Sequence, residues 1–331
     1  MPAAAGACGV YGLELAGEDD AFAAREAACA ATAVDPVASG LATARGIDAD
    51  RVRTLAYTRR ASHLLGRCAA SVDAARALVA AAGIERAGTV AVRARDVRST
   101  AGIDTRRAER ELGSALVDRG FTVDLDDPDH ELRALFADDT CLVGWLVAES
   151  VRDYGDRRPT DRPFFQPGSM APLDARAFAN LAGAAPGATL LDPMCGTGGV
   201  LIEAGLVGAT PVGIDAQRKM VRGARRNLRR YLDRDFHLLR GDATRLPFGD
   251  GAVDGVVFDA PYGRQSKIER HDLADLVSGA LAEARRVAPR AVVVADRSWR
   301  EAAEAAGWTV ETTFERRVHR SLTRHVHLLD A

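Results

Sequence analysis

The chain predicts an α/β fold in its second half, a mostly parallel sheet ending in an antiparallel hairpin, preceded by an α+β first half. Three observations carry this. From residue 189 onward strand-like and helix-like runs alternate, which requires βαβ units and a parallel sheet. The last two runs, 309–317 and 322–329, are strands in succession joined by a short turn, so they add an antiparallel edge. Residues 10–148 mix the two patterns without that rhythm.

In order, Val10 to Leu15 reads as a strand, Glu18 to Ala33 as an Ala-rich helix and Val37 to Ala44 as a strand, a pattern that fits a ferredoxin-like domain over 1–55. A short strand, Val52 to Ala56, leads into a second α+β domain over 56–150. It begins with helices Arg60 to Cys68 and Val72 to Ala82, the latter stopped by Gly83. Thr89 to Arg95 alternates as a strand. Asp104 caps a helix through Val117 that Gly120 ends, and strands His130 to Phe136 and Thr140 to Ala148 follow. Residues 151–165 are polar, proline-bearing and charged with both signs, as a linker is. The last domain, 166–331, alternates through 189–192, 200–206, 211–215, 217–232, 236–240, 253–259, 273–287 and 291–296 before the hairpin.

Length and composition narrow the classes. A chain of 331 residues implies two or three domains, and 47% hydrophobic with 27% charged residues is globular composition, which sets disorder aside. No apolar run approaches a membrane span, and the start lacks the basic flank of a secretory signal, so a cytoplasmic protein is expected. Five cysteines with no C-x-x-C pair argue for reduced thiols over a disulfide framework or zinc knuckle. The net charge of −2 does not advertise nucleic acid, so such a partner must be argued from local clusters. All basic residues but Lys219 and Lys267 are arginines, a bias that phosphate binding and genome base composition explain equally.

Asp192-Pro193-Met194-Cys195-Gly196-Thr197-Gly198-Gly199 ends a buried strand and opens a helix, where small residues let the backbone close on a ligand. A third dinucleotide glycine is missing, since Leu201 stands in its place, and the carboxylate before the turn would repel a pyrophosphate. The same carboxylate suits a cationic, phosphate-free ligand such as S-adenosyl-L-methionine. Asp215 ends the next strand, where an acid accepts both ribose hydroxyls of a nucleoside. Asp242, with Ala243 after it, ends the third and can accept an adenine amino hydrogen, or simply cap the turn that follows.

Asp259-Ala260-Pro261-Tyr262 ends the fourth strand. An exocyclic amine is a poor nucleophile because its lone pair is delocalised into the ring. The site must therefore accept both N–H hydrogens and turn the lone pair toward the methyl group. The Asp259 carboxylate and the Ala260 carbonyl are candidate acceptors, and Tyr262 is a stacking face worth about 1–3 kcal/mol for an extruded base. Arg218, Arg222, Arg225 and Arg229 read as a solvated helix face, and Arg316, Arg317, Arg320 and Arg324 as candidate phosphate contacts. His325 and His327 share a strand face without a third ligand, so no metal is expected.

Together with Phe164-Phe165-Gln166-Pro167-Gly168-Ser169-Met170, these motifs resemble the archaeal tRNA (guanine-10-N2) methyltransferases over nearly the whole chain. The resemblance implies a Rossmann-like class I methyltransferase domain over 166–331 behind ferredoxin-like and THUMP domains that bind tRNA. It implies methyl transfer from S-adenosyl-L-methionine to N2 of guanosine 10 by a monomer, as one methyl or two. It places Asp259 and the backbone after it at the guanine amine, Asp215 and Asp242 at ribose and adenine, and Pro167, Ser169 and Met170 near the methionine end. The usual motif has two prolines, and Ala260 replaces the first, which implies a slightly looser loop. Amino-methyltransferases acting on adenine, cytosine or protein glutamine share this type of loop. A non-catalytic THUMP-type RNA-binding protein is the alternative of another class.

Overall fold

Burying apolar stripes that are far apart in sequence produces two units, Met1–Val151 and Arg152–Ala331. The computed structural model describes residues 10–261, 273–319 and 322–331. Tyr262, Lys267 and Arg320, singled out above, lie outside them.

The first unit opens with β1 (Tyr11–Leu15) and α1 (Asp20–Ala27), whose N-cap Asp19 accepts from the Phe22 amide. The predicted helix was longer: after Ala27 the chain turns into β2 (Ala31–Thr32), β3 (Asp35–Ala38), β4 (Leu41–Ala44) and β5 (Gly46–Ile47). The single strand expected over 37–44 is thus a hairpin, reversed at Gly40 with a φ of +72°. Two further expectations are overturned. The strand predicted over 52–56 does not form: Val52 ends a short helix, α2 (Ala49–Val52), nucleated by Asp48 accepting from Asp50 and Arg51, and 53–57 turn toward the next strand. The helix predicted over 60–68 is instead the long strand β6 (Thr58–Ala69), which pairs β1 on one side and a later strand on the other. Pairing on both edges overrides the helix propensity of its Ala, Leu and Arg residues.

The rest follows expectation: α3 (Val72–Ala81), β7 (Thr89–Asp96), α4 (Thr105–Val117) capped by Asp104, β9 (His130–Ala137) and β10 (Thr140–Glu149), with the unanticipated two-residue strand β8 (Thr122–Val123) between α4 and β9. The sheet order is β3-β4-β1-β6-β10-β9-β7-β8, so one continuous sheet runs through both the first 55 residues and those after them. α3 and α4 cover it through Val79, Leu112, Leu116, Val92, Phe136 and Trp145.

The second unit holds α5 (Pro172–Leu181), β11 (Thr189–Asp192), α6 (Gly199–Leu206), β12 (Thr210–Asp215), α7 (Arg218–Tyr231), β13 (His237–Arg240), β14 (Gly255–Asp259), α8 (Leu273–Val287), β15 (Arg290–Ala295), α9 (Arg300–Ala305), β16 (Thr309–His319) and β17 (Leu322–Asp330). The helices α5 and α9 were not anticipated. The order is β13-β12-β11-β14-β15-β17-β16, parallel as far as β15, with β17 antiparallel beside it and β16 at the edge. On β12, Val212 and Ile214 face the core beneath α8, while Gly213 between them faces α6. A Cβ on Gly213 would lie 2.5 Å from Leu201, so glycine lets α6 approach.

The 152–163 stretch is not a free connector. Its short 3₁₀ turns, Tyr154–Arg157 and Pro159–Asp161, carry two buried arginines, Arg157 and Arg162. The physical reason lies on α6, whose wholly buried Glu203 requires counter-charge: Arg157 Nε donates to it at 2.8 Å and Arg176 of α5 lies 2.7 Å away.

Candidate active site

Parallel strands bring their carboxyl ends to one edge of a sheet, and the strand order decides which loops become neighbours. Here β13, β12, β11 and β14 are adjacent in that order. Each ends in, or runs into, an aspartate: Asp242, Asp215, Asp192 and Asp259. Four acids separated by up to 67 residues in sequence therefore form a row along that edge.

Asp215 organises the loop beside it. One carboxylate oxygen accepts from the Gly196 amide at 3.0 Å and the other from the Gln217 amide at 2.8 Å, joining the glycine turn to the start of α7. Gly196 and Gly198 have φ of +51° and +79°, which explains glycine at both. Among the described residues outside its chain neighbours, the nearest atom to a Cβ built on Gly196 is the Met194 carbonyl oxygen at 4.0 Å, so this residue presents bare backbone. Cys195 is pinned through its own backbone, its amide donating to Ile214 at 2.8 Å and its carbonyl accepting from Gly198 at 2.7 Å. Burial, then the charges of Asp192 and Asp215, push its thiol well above the ordinary range, so it is not a nucleophile.

Asp192 is buried and accepts from the Met194 amide at 3.0 Å. Burial chiefly, with the charges of Asp259 and Asp215 adding to it, raises its carboxyl well above the usual value. A cation beside it would offset that cost. Asp242 does act as a local cap, accepting from the Thr244 amide at 2.9 Å and hydroxyl at 2.8 Å, and buried Ala243 follows.

Asp259 is part-exposed at the end of β14. The Ala260 amide donates to the Val294 carbonyl at 2.7 Å, a bond that a proline has no hydrogen to make. A hydrogen bond to β15 thus ties Ala260 itself to the neighbouring strand, while the loop for which the resemblance implied loosening lies mostly outside the described residues. Pro261 is part-buried, and the description ends there, before Tyr262.

Residues 164–170 lie against the glycine turn. Ser169 Oγ is 3.1 Å from Thr197 Oγ1 and donates to the Gln166 carbonyl at 2.7 Å. Pro167 is exposed and Met170 buried. Asn227 of α7, wholly buried, donates to the carbonyls of Phe164 at 2.8 Å and Thr197 at 2.9 Å, and accepts from the Phe164 amide at 2.8 Å.

Several of these residues escaped sequence reasoning. Asn227 and Glu203 are polar groups inside otherwise apolar helix stripes, and that anomaly was the available signal. Two arginines assigned to phosphate are otherwise engaged: Arg316 and Arg324 lie 3.2 and 3.5 Å from Asp174 of α5, and Arg324 is buried. Arg317 is exposed, as are Arg218, Arg222, Arg225 and Arg229. His327 is buried and accepts from the Trp299 amide at 3.2 Å, and burial lowers its pKa, so it serves as a neutral structural group.

The comparisons with known proteins agree with this geometry. A family model described as UPF0020, RMKL-like, methyltransferase domain, matches residues 159–326, and a THUMP domain model matches 72–145. Fold and site therefore define a methyltransferase behind a THUMP domain. The chain is 35% identical over 290 residues, 84% of each protein, to the tRNA (guanine(10)-N2)-dimethyltransferase of Methanothermobacter thermautotrophicus. It is 32% identical over 250 residues, 74% of each, to the enzyme of that name from Pyrococcus abyssi. It belongs to the tRNA (guanine(10)-N2)-dimethyltransferase family. The crystal structure of TrmN from Thermus thermophilus, 21% identical, shares the fold with a TM-score of 0.50 over 97% of this chain and 99% of that one.

Proposed function

We infer that the protein transfers methyl groups from S-adenosyl-L-methionine to the exocyclic N2 of guanosine 10 in tRNA. The row Asp242, Asp215, Asp192, Asp259 carries this reading, since adjacent strand ends give adenine, ribose, a cationic centre and an amine one acid each, in that order. The names of the relatives above, which act on guanine N2 of tRNA, support the substrate.

The residues present fit the cofactor. Gly196 offers bare backbone, and a neighbouring positive charge would offset the cost of ionising buried Asp192. Asp215 would accept the ribose hydroxyls, Asp242 and the Ala243 backbone would meet adenine, and Asp192 would face the cationic amino-acid end. Pro193, Cys195, Gly196, Thr197 and Gly198 would line the turn, with Pro167, Ser169 and Met170 opposite. The bound cofactor supplies an electrophilic methyl group on a sulfonium.

The remaining chemistry belongs to the loop after β14. The Asp259 carboxylate and the Ala260 carbonyl accept the two N–H hydrogens of the amine. Holding both rotates the nitrogen lone pair out of conjugation, and the carboxylate stabilises the positive charge that builds on nitrogen during transfer. Pro261 fixes the turn and Tyr262 offers the base a stacking face. The first unit, with its ferredoxin-like part over 1–55 and THUMP part over 56–150, would hold the tRNA body. Residues 151–165 would join it to the catalytic domain over 166–331.

The test is incubation with radiolabelled methyl donor and unmodified tRNA transcripts, followed by nucleoside mapping. N2-methylguanosine or N2,N2-dimethylguanosine at position 10 is expected. Label on adenine, on cytosine or on protein would overturn the substrate, and no incorporation would overturn the enzyme.

A further inference from the structure

We propose that Asn227 of α7 is the positioning residue that locks Phe164–Met170, as a strap, against the glycine turn where the proposed function sets the amino-acid end of the cofactor. The proposal rests on the cofactor reading above and deepens it.

The strap is tied at its base, its docking site and its far end. At its base, buried Arg162 donates to the Met170 carbonyl at 3.3 Å, closing the segment into a loop. Its docking site is built on α7 from three residues spaced four apart, which fall on one stripe of a helix: Lys219, Gly223 and Asn227. All three serve Phe164. The Lys219 ammonium sits 5.7 Å from the centre of its ring. The ring rests on bare Gly223, where an added Cβ would lie 1.9 Å from the ring. Asn227 pairs with both the amide and the carbonyl of Phe164, as a neighbouring strand would. The same amide group also donates to Thr197, so one side chain joins strap to glycine turn, and Ser169 touches Thr197 at the far end.

The strand order says which part of the ligand lies beneath. With adenine at the end of β13 and ribose at Asp215 of β12, the next position along the row is the turn after β11. That position takes the amino-acid end, and it is the turn the strap covers. The strap therefore arrives preorganised, and its ordering cost is met during folding.

Calorimetric titration of the full-length protein with two ligands tests this: S-adenosylhomocysteine, which has the amino-acid end, and 5′-methylthioadenosine, which lacks it. Asn227→Ala and Gly223→Ala should each weaken S-adenosylhomocysteine about tenfold or more while 5′-methylthioadenosine stays within about twofold. Asn227→Asp, which keeps the acceptor and loses both donors, should fall between. Should Asn227→Ala not fold, Gly223→Ala carries the test alone, because it removes no hydrogen bond and improves helix propensity. Equal weakening of both ligands, or of neither, overturns the strap's role and leaves the cofactor reading intact. If the unaltered protein binds neither ligand, the cofactor reading falls and the strap falls with it.

Discussion

Asp192 stands where binding and folding pull in opposite directions. Its carboxyl is raised in the folded protein, so it contributes stability below the unfolded pKa and loses it as pH rises through the folded value. At neutral pH it is a cost that a bound cation relieves. Asp192→Asn should therefore raise the melting temperature of the ligand-free protein by about 2–4 °C, the shift that roughly 1 kcal/mol gives in a unit of this size. It should weaken S-adenosyl-L-methionine at the same time. The dissociation constant of the unaltered protein should fall as pH rises toward the elevated Asp192 value, and a flat profile in calorimetry would contradict the assignment. Asp259 predicts the opposite separation. Asp259→Ala should lower kcat by about 10²–10⁴, the usual range for a lost acid–base group, with S-adenosylhomocysteine affinity nearly unaltered. Single-turnover methylation beside calorimetry checks both halves.

Among the elements, α6 joins the site to the scaffold. Its first residue follows the glycine turn, and its second turn carries Glu203 between Arg157 and Arg176. Glu203→Ala leaves two buried guanidinium groups without their shared acid, a loss worth about 3–5 kcal/mol. Thermal denaturation should show a fall of about 10 °C, whereas an unchanged melting curve would mean the cluster contributes nothing. The terminal hairpin is held in a comparable way, since Asp174 on α5 receives arginines from both β16 and β17. Polar residues inside apolar stripes hinted at the α6 cluster. Nothing local to 312–324 distinguished an arginine pair tied to Asp174 from a phosphate-binding one.

Charge is divided unevenly across the whole molecule. Residues 1–151 carry 17 Arg and Lys against 23 Asp and Glu, and residues 152–331 carry 27 against 23. The THUMP-bearing unit is thus acidic overall, so phosphate contacts of the proposed tRNA complex would have to come there from local arginines. Arg59, Arg60, Arg95 and Arg133 gather around the wholly buried Glu14 there. Release of counterions makes such contacts salt-dependent. Even two phosphate contacts imply that KM for tRNA rises about tenfold between 50 and 200 mM salt, and steady-state kinetics that show no salt dependence would contradict phosphate-driven binding. By itself the sequence determined the alternating half, the glycine turn and the acids at four strand ends, because turn chemistry and strand-ending motifs are written in neighbouring residues. Only the tertiary structure decided that 58–69 is a central strand, that 152–163 is clamped by Glu203, and that Asn227 reaches both Phe164 and Thr197. Each of those depends on partners at least 30 residues away in sequence. Burial and pairing at that range outweigh local propensity, and no local pattern records them.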